Sequence, residues 1–295
     1  MQLEYYVSRS SEGERLNIFL RKNGVSLAQI KKVKFLPDGI MVDGHRQNTD
    51  YLLKAGQKVT VNVYDSQPQD SAKAQYRPMD IVYLDESCMV VNKPRGMPCH
   101  PSFNHPEGTL ANFFVGWRRS RGENMPCRII NRLDKSTSGL VLMALDPHSA
   151  RRLSAGTQKL YRAIVQGHPQ PENGLIDLPI ARKEDSIITR CVRPDGQRAL
   201  TEYSLSARGD GFSLMDVKLH TGRTHQIRVH FSHLGHALAG DELYGGDCRF
   251  INRRALHCRQ LTFTSPHSGE KIQLSRPLPE DMKTCATKMH IFETF

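Results

Sequence analysis

Residues 140–145 read LVLMAL, an unbroken apolar run of strand length. A strand with one wet face alternates apolar and polar residues. A run apolar at every position reads as a buried strand, covered on both sides. More strand-length segments lie around it. Residues 81–84 and 89–92 are joined by an acidic turn at Asp85-Glu86, and Lys93-Pro94 stops the second. Residues 161–166 form another candidate. Residues 200–205 and 212–219 flank Arg208-Gly209-Asp210-Gly211, which predicts a hairpin. Past Gly222, Ile227, Phe231, Leu234 and Leu238 fall at helical spacing and predict an amphipathic helix. Regular strand–helix–strand alternation is missing. The expectation is α+β rather than a doubly wound parallel sheet.

Residues 1–65 read as a separate small unit. Leu16, Phe19 and Leu20 recur at helical spacing, and Asn23-Gly24 ends that helix. Residues 40–42 predict a short strand, Asp43-Gly44 a tight hairpin turn, and the alternating KVTVNV of residues 58–63 a further strand. Residues 66–79 contain two prolines and no apolar period, and are expected to be a linker. The larger unit is expected to run over residues 80–295.

The chain has 295 residues, with 41 Lys and Arg against 30 Asp and Glu, a net charge of +11. Most of that excess lies beyond the first unit. It favours a polyanionic partner. The apolar fraction of 38% suits a globular core and excludes a disordered tail or a collagen-like chain. No apolar run is long enough for a transmembrane helix, and residues 1–11 lack a signal core. The seven cysteines are widely spaced and form no C-x-x-C, so the expected setting is a reducing cytoplasm. No long apolar edge or coiled coil is evident, and a monomer is expected.

Three stretches carry candidate chemistry. In NRLDKSTSGLVLMALD, Asp134 precedes the buried strand, with Thr137, Ser138 and Gly139 forming a tight turn and Arg128 and Arg132 nearby. A carboxylate fixed among cations can act as nucleophile or base; its bland alternative is a turn cap. In and just before TGRTHQIRVHFSHLGH, His220, His225, His230, His233 and His236 crowd together, yet few share the helical spacing that a metal site needs. Arg223 and Arg228 are the better candidates there, as phosphate contacts or as the partner of a buried carboxylate. Finally, Arg118, Arg119, Arg121, Arg151, Arg152, Lys159 and Arg162 surround Asp134 in sequence, with Phe113, Trp117 and Tyr161 interleaved. That pattern suits RNA or an ordinary solvated basic face. No phosphate-binding glycine loop is present, so a nucleotide cofactor has no support.

Four blocks, in order, resemble the RluA family of RNA pseudouridine synthases: VVNKPRGMPCHPS (90–102), NRLDKSTSGLVLMALD (131–146), TGRTHQIRVHFSHLGHALAGDELYG (221–245) and LHCRQLTFTSPHSGEKIQLSRPLPEDM (256–282). KLYRA (159–163) lies between them. The resemblance covers roughly residues 80–282. It implies a pseudouridine synthase fold, with a mixed, mostly antiparallel central sheet, flanking helices and a central cleft. It implies Asp134 as the catalytic aspartate, Tyr161 as the tyrosine that stacks on the target base, and Arg228 as the partner of the aspartate. Leu256 falls where the family has an apolar residue beside the site. The matching blocks further imply substrate or RNA contacts from Lys93, Arg132, Arg223, Thr224, His225 and Gln226. Asn131 stands where the family usually has histidine. Residues 13–63 resemble, more weakly, a small RNA-binding domain first recognised in a ribosomal small-subunit protein.

The implied reaction converts uridine in ribosomal or transfer RNA to pseudouridine without cofactor or metal. The aspartate could add to sugar or base, or abstract a sugar proton. A protein that keeps this scaffold to bind RNA without turnover is the alternative.

Overall fold

The structure, a computed structural model, describes residues 2–62, 72–186 and 188–292. In the first part, β1 (Gln2–Tyr6), α1 (Leu16–Lys22), α2 (Leu27–Val33), β2 (Ile40–Val42), β3 (His45–Arg46) and β4 (Lys58–Asn62) follow in order. The strands form one antiparallel sheet, β1-β4-β2-β3. Leu16, Phe19 and Leu20 of α1 pack with Ile40, Val42, Val59 and Val61 into a small core of their own. The Ser26 hydroxyl and Gln29 side chain cap the start of α2 reciprocally. Asp43 and Gly44 both have positive φ, 49° and 77°. A two-residue turn with both centres left-handed matches the twist of its flanking strands, which is why Asp-Gly marked it. Val63, the end of the predicted strand, lies outside the described residues.

The larger part runs β5 (Ile81–Leu84), β6 (Cys88–Lys93), α3 (Leu110–Arg119), β7 (Arg128–Ile129), β8 (Ser138–Ala144), α4 (Pro147–Gly156), β9 (Gln158–Gln166), β10 (Asn173–Asp177), β11 (Ile180–Arg182), β12 (Arg190–Val192), β13 (Leu200–Gly209), β14 (Phe212–Leu219), α5 (Gln226–His233), β15 (Leu256–Thr264), β16 (Lys271–Ser275) and α6 (Glu280–Lys288). A ten-stranded sheet has the main order β10-β13-β14-β9-β15-β8-β6-β5, with β16 on β15 and β7 on β8. Its pairings are antiparallel apart from β15 on β8, so the fold is α+β with a mixed, mostly antiparallel sheet. Every residue of β8 is buried, as the apolar run at 140–145 requires. Leu110 and Phe114 of α3, Leu153 of α4, and Ile227 and Phe231 of α5 join the same core. A second core lies under α6, where Met282 and Cys285 meet Ile164 and Leu214. β11 and β12 make a separate two-stranded ribbon.

Two expectations change. Of the predicted linker, residues 66–71 lie outside the described residues, and the following stretch is docked rather than free. Ala72 is buried against Ala111 and Val115. The Gln75 N–H donates to the Asn112 carbonyl, and the Asn112 side chain donates to Lys73 O. Gly116 permits this approach: a Cβ there would sit 2.0 Å from Gln75 O. The predicted helix past Gly222 also stops sooner than its apolar spacing suggests. α5 ends at His233, Gly235 turns left-handed at φ 82°, and the His236 N–H closes back on Phe231 O. Leu238 is still buried, but in an extended segment bridged to Val165.

Candidate active site

Asp134 sits in the loop between β7 and β8, and the loop is tied down on both sides. The Asn131 amide donates to Leu140 O and accepts from Leu142 N–H, which fixes the loop to the edge of β8. Cys99 accepts from Leu133 N–H and donates to Leu133 O. The Lys93 ammonium, fully buried, donates to Pro94 O at 3.0 Å, Met97 O at 2.8 Å and Lys135 O at 3.4 Å. Burial lowers the Lys93 pKa to about 8. Thr137 N–H closes the turn on Asp134 O. Asp134 therefore projects from a rigid loop with 29% of its side chain exposed.

Opposite it, α5 brings in Arg228. Its Nη1 lies 3.0 Å from Asp134 Oδ2, while Nε and Nη2 bind Asp241 at 2.6 and 2.9 Å. Arg228 and Asp241 are both buried. Burial opposes the Arg228 charge, but the Asp241 hydrogen bond and the two carboxylates more than offset it and hold its pKa above the usual value. The Tyr244 ring covers the guanidinium at 4.7 Å. The turn leading into α5 is clamped by Gln226. Its amide oxygen accepts from Thr221 Oγ1 and Arg223 N–H, and its nitrogen donates to Leu200 O and Thr201 Oγ1. That clamp leaves His225 left-handed, at φ 59°. The His225 Nε2 stands 3.8 Å from Asp134 Oδ2, and burial lowers its pKa to about 4, so its ring is neutral at pH 7.

Tyr161, on β9, pairs across the sheet with Cys258 of β15. Burial, with the Cys258 contact, pushes its hydroxyl well above the usual tyrosine value, so it stays protonated. Arg132, Leu133, Asp134, Thr137, Tyr161, Leu219, Arg223, His225, Gln226, Ile227, Arg228 and Leu256 line one cleft of about 60 Å³. The floor is charged and the walls are apolar and aromatic. Such a place can hold a flat ring against a carboxylate.

Sequence reasoning placed Asp134, Tyr161, Arg228, Leu256, Arg132, Arg223 and His225, and the fold gathers all of them there. Lys93, Gln226 and Thr224, the other expected substrate contacts, are placed differently. Lys93 points inward and is consumed by carbonyls, so it orders the loop. The Gln226 amide is fully used within the protein. Thr224 is exposed beside an adjoining hollow lined by Arg182, Arg190 and Arg223. The basic density around Asp134 in sequence also disperses: Arg118 is buried against Glu123, and Arg162 against Asp216. Phe113 is packed in the interior. The histidines mostly make structural bonds, as with His230 to Thr201 and Leu178 O. No group of three potential metal ligands occurs among the described residues. Asp241 and Tyr244 were not singled out. Both stand in GDELYG, but no spacing marks them as partners of Arg228.

Residues 87–233 match the family described as RNA pseudouridylate synthase. The chain is 37% identical over 264 residues to YjbO of Bacillus subtilis (strain 168), described as an uncharacterized RNA pseudouridine synthase, covering 88% of this chain and 93% of that one. It is 33% identical over 297 residues to the ribosomal large subunit pseudouridine synthase D of Xanthomonas campestris pv. campestris, covering 94% and 89%. Among solved structures, human RNA pseudouridylate synthase domain containing 1 superposes with a TM-score of 0.57 at 26% identity, over 70% of this chain and 87% of that one.

Proposed function

The chain belongs to the family of RNA pseudouridylate synthases, and we propose that it uses Asp134 as its one essential carboxylate on a uridine of large-subunit ribosomal RNA. The observation that carries this reading is the Asp134–Arg228 pair, set in a cleft walled by Tyr161 and Leu256. In the reaction the bond from C1′ to N1 of uracil breaks. The base turns, a bond from C1′ to C5 forms, C5 loses its proton and N1 gains one. Atoms and electrons balance without an oxidant, a reductant or water, so the proposal includes no cofactor or metal.

Each cleft residue then has a task. Asp134 faces the reacting nucleotide, Arg228 keeps its carboxylate aimed, and Tyr161 and Leu256 flank the base. The target must leave its stack, which costs on the order of a few kcal/mol, and cationic contacts to the phosphates offset that cost. We assign those contacts to Arg132 and Arg223, a reading supported by their exposure at the rim of the cleft. The ribosomal target is supported by the likeness to the large-subunit enzyme, which extends over nearly the whole chain. Residues 1–65 act as an RNA-binding unit beside a catalytic unit at 80–295, in a cytoplasmic monomer. Four buried free thiols, Cys88, Cys99, Cys258 and Cys285, fit a reducing compartment.

The test is a map of pseudouridine in RNA from cells with and without the gene, by carbodiimide modification and reverse-transcription stops. Stops that vanish with the gene and return with wild type, but not with Asp134→Asn, would support the reading. Normal pseudouridine formation by purified Asp134→Asn would remove Asp134 from its role.

A further inference from the structure

His225 has two ring nitrogens in different company. Nε2 faces the cleft, 3.8 Å from Asp134 Oδ2. Nδ1 lies 2.9 Å from the Tyr244 hydroxyl. A third group sets the direction of that second bond. The backbone N–H of Arg190, at the start of β12, donates to the same hydroxyl oxygen at 2.9 Å. A phenol has one proton, and with its oxygen already accepting, that proton goes to Nδ1. The reverse arrangement, Nδ1–H donating to the oxygen, leaves the phenol proton with no acceptor among the described residues. A neutral imidazole carries a single N–H, which therefore falls on Nε2.

The surroundings keep the ring neutral. Burial is the largest influence against its charge. Asp134 and Asp241 favour the charged form, while Arg228 and Arg254 oppose it. The Tyr244 phenol keeps its proton, because burial raises its pKa.

We propose that His225 is a fixed, neutral hydrogen-bond donor to the target nucleotide, its Nε2–H held toward the cleft by the Arg190–Tyr244 relay. At 3.8 Å the N–H is too far from Asp134 to be consumed by it. An acceptor oxygen entering the cleft can take the bond instead. Uracil offers carbonyl oxygens on its ring edge. The amino group of cytosine only donates, and Nε2–H has no lone pair to receive it, so the same atom that binds uracil disfavours cytosine at that edge. Tyr244 is a positioning residue, acting through His225. The ribbon of β11 and β12 reaches the cleft by this route. The substrate role rests on the reading of Asp134 as the essential carboxylate; the tautomer rests on the hydrogen bonds alone.

Two measurements test the two parts. In full-length protein labelled with 15N histidine, long-range 1H–15N correlation separates bare from protonated ring nitrogens, and His225→Gln assigns the signal. The expected result at pH 7 is protonated Nε2 and bare Nδ1, with the second tautomer emerging in Tyr244→Phe. A charged ring, or a proton on Nδ1, overturns the tautomer. For the substrate role, His225→Gln keeps an N–H near the Nε2 position and His225→Leu removes it, while both carry the same left-handed backbone. The Leu variant should fall about tenfold or more below the Gln variant in kcat/KM. Equal values overturn the donor role. Activity in Asp134→Asn would strike the Asp134 reading and leave the NMR result standing.

Discussion

Arg228 holds Asp134 by one nitrogen and Asp241 by the other two. The bidentate pair is buried and forms a fixed post, and Asp134 stands at its half-open end. Only a planar guanidinium can span two carboxylates in this way. Arg228→Lys puts a point charge where a fork stood, and the ammonium cannot reach both acids. Such a variant should lose kcat by roughly a hundredfold or more, with a smaller change in KM. Steady-state pseudouridine formation on a uridine-containing RNA fragment reads this directly. A Lys variant with near-normal kcat would mean that Asp134 needs no such aiming.

Asp241 is tested by stability. It is completely buried, and its removal takes the acceptors of Arg228 Nε and Nη2 and leaves the guanidinium its bond to Asp134. Breaking a buried pair from one side costs about 3–5 kcal/mol. Asp241→Ala should therefore unfold at markedly lower urea, and Asp241→Asn, which keeps one acceptor, at an intermediate concentration. A midpoint for the Ala variant equal to wild type would show that water replaces the carboxylate freely.

Gly139, five residues after Asp134, adopts φ 115°, and a Cβ there would lie 2.3 Å from Cys258 O and 2.6 Å from Cys258 N. Those atoms belong to the parallel junction of β8 with β15. Backbone on both sides cannot give way cheaply, so Gly139→Ala should destabilise by roughly 3 kcal/mol or more. Gly222→Ala, with open space around its Cβ, should stay within about 0.5 kcal/mol. Thermal unfolding of both variants compares them, and similar melting points would contradict the crowding at β8.

The parts of this architecture that were legible are those where one local pattern decides the outcome. The apolar run at 140–145 demands burial, and Asp43-Gly44 demands a left-handed turn. The helix at α5 was overextended because Leu238 continues the apolar spacing beyond Gly235, where backbone geometry overrules it. Charges were harder. Arg162 and Arg118 looked like an RNA face until Asp216 and Glu123 supplied partners, one of them 54 residues away in sequence. Lys93 and Gln226 sit in the right motifs, yet which way a side chain points depends on packing that no spacing encodes. Asp241 escaped notice because its meeting with Arg228 spans a turn whose path is tertiary.

Five histidines, His100, His148, His225, His230 and His257, are held below their usual pKa by burial and give the fold a sensitivity to mild acid, the two largest shifts being those of His225 and His257. Burial lowers both His225 and His257 to about 4, and His257 is further opposed by Arg253 while its Nδ1 meets Ser138. In the unfolded chain these rings take a proton near 6.5. As pH falls from 6.5 toward 4 the unfolded state binds more protons than the folded one, so stability declines; above 7 the effect is constant. Each ring contributes at most on the order of 3 kcal/mol across that window. Carboxylates with lowered pKa values, such as Asp281, lose their contribution at lower pH, so measurements at pH 7.5, 6 and 5 isolate the histidines. Urea midpoints should drop steadily over that series, and the drop should be shallower in His257→Gln. If the variant and wild type fall in parallel, His257 is not a source of the acid sensitivity.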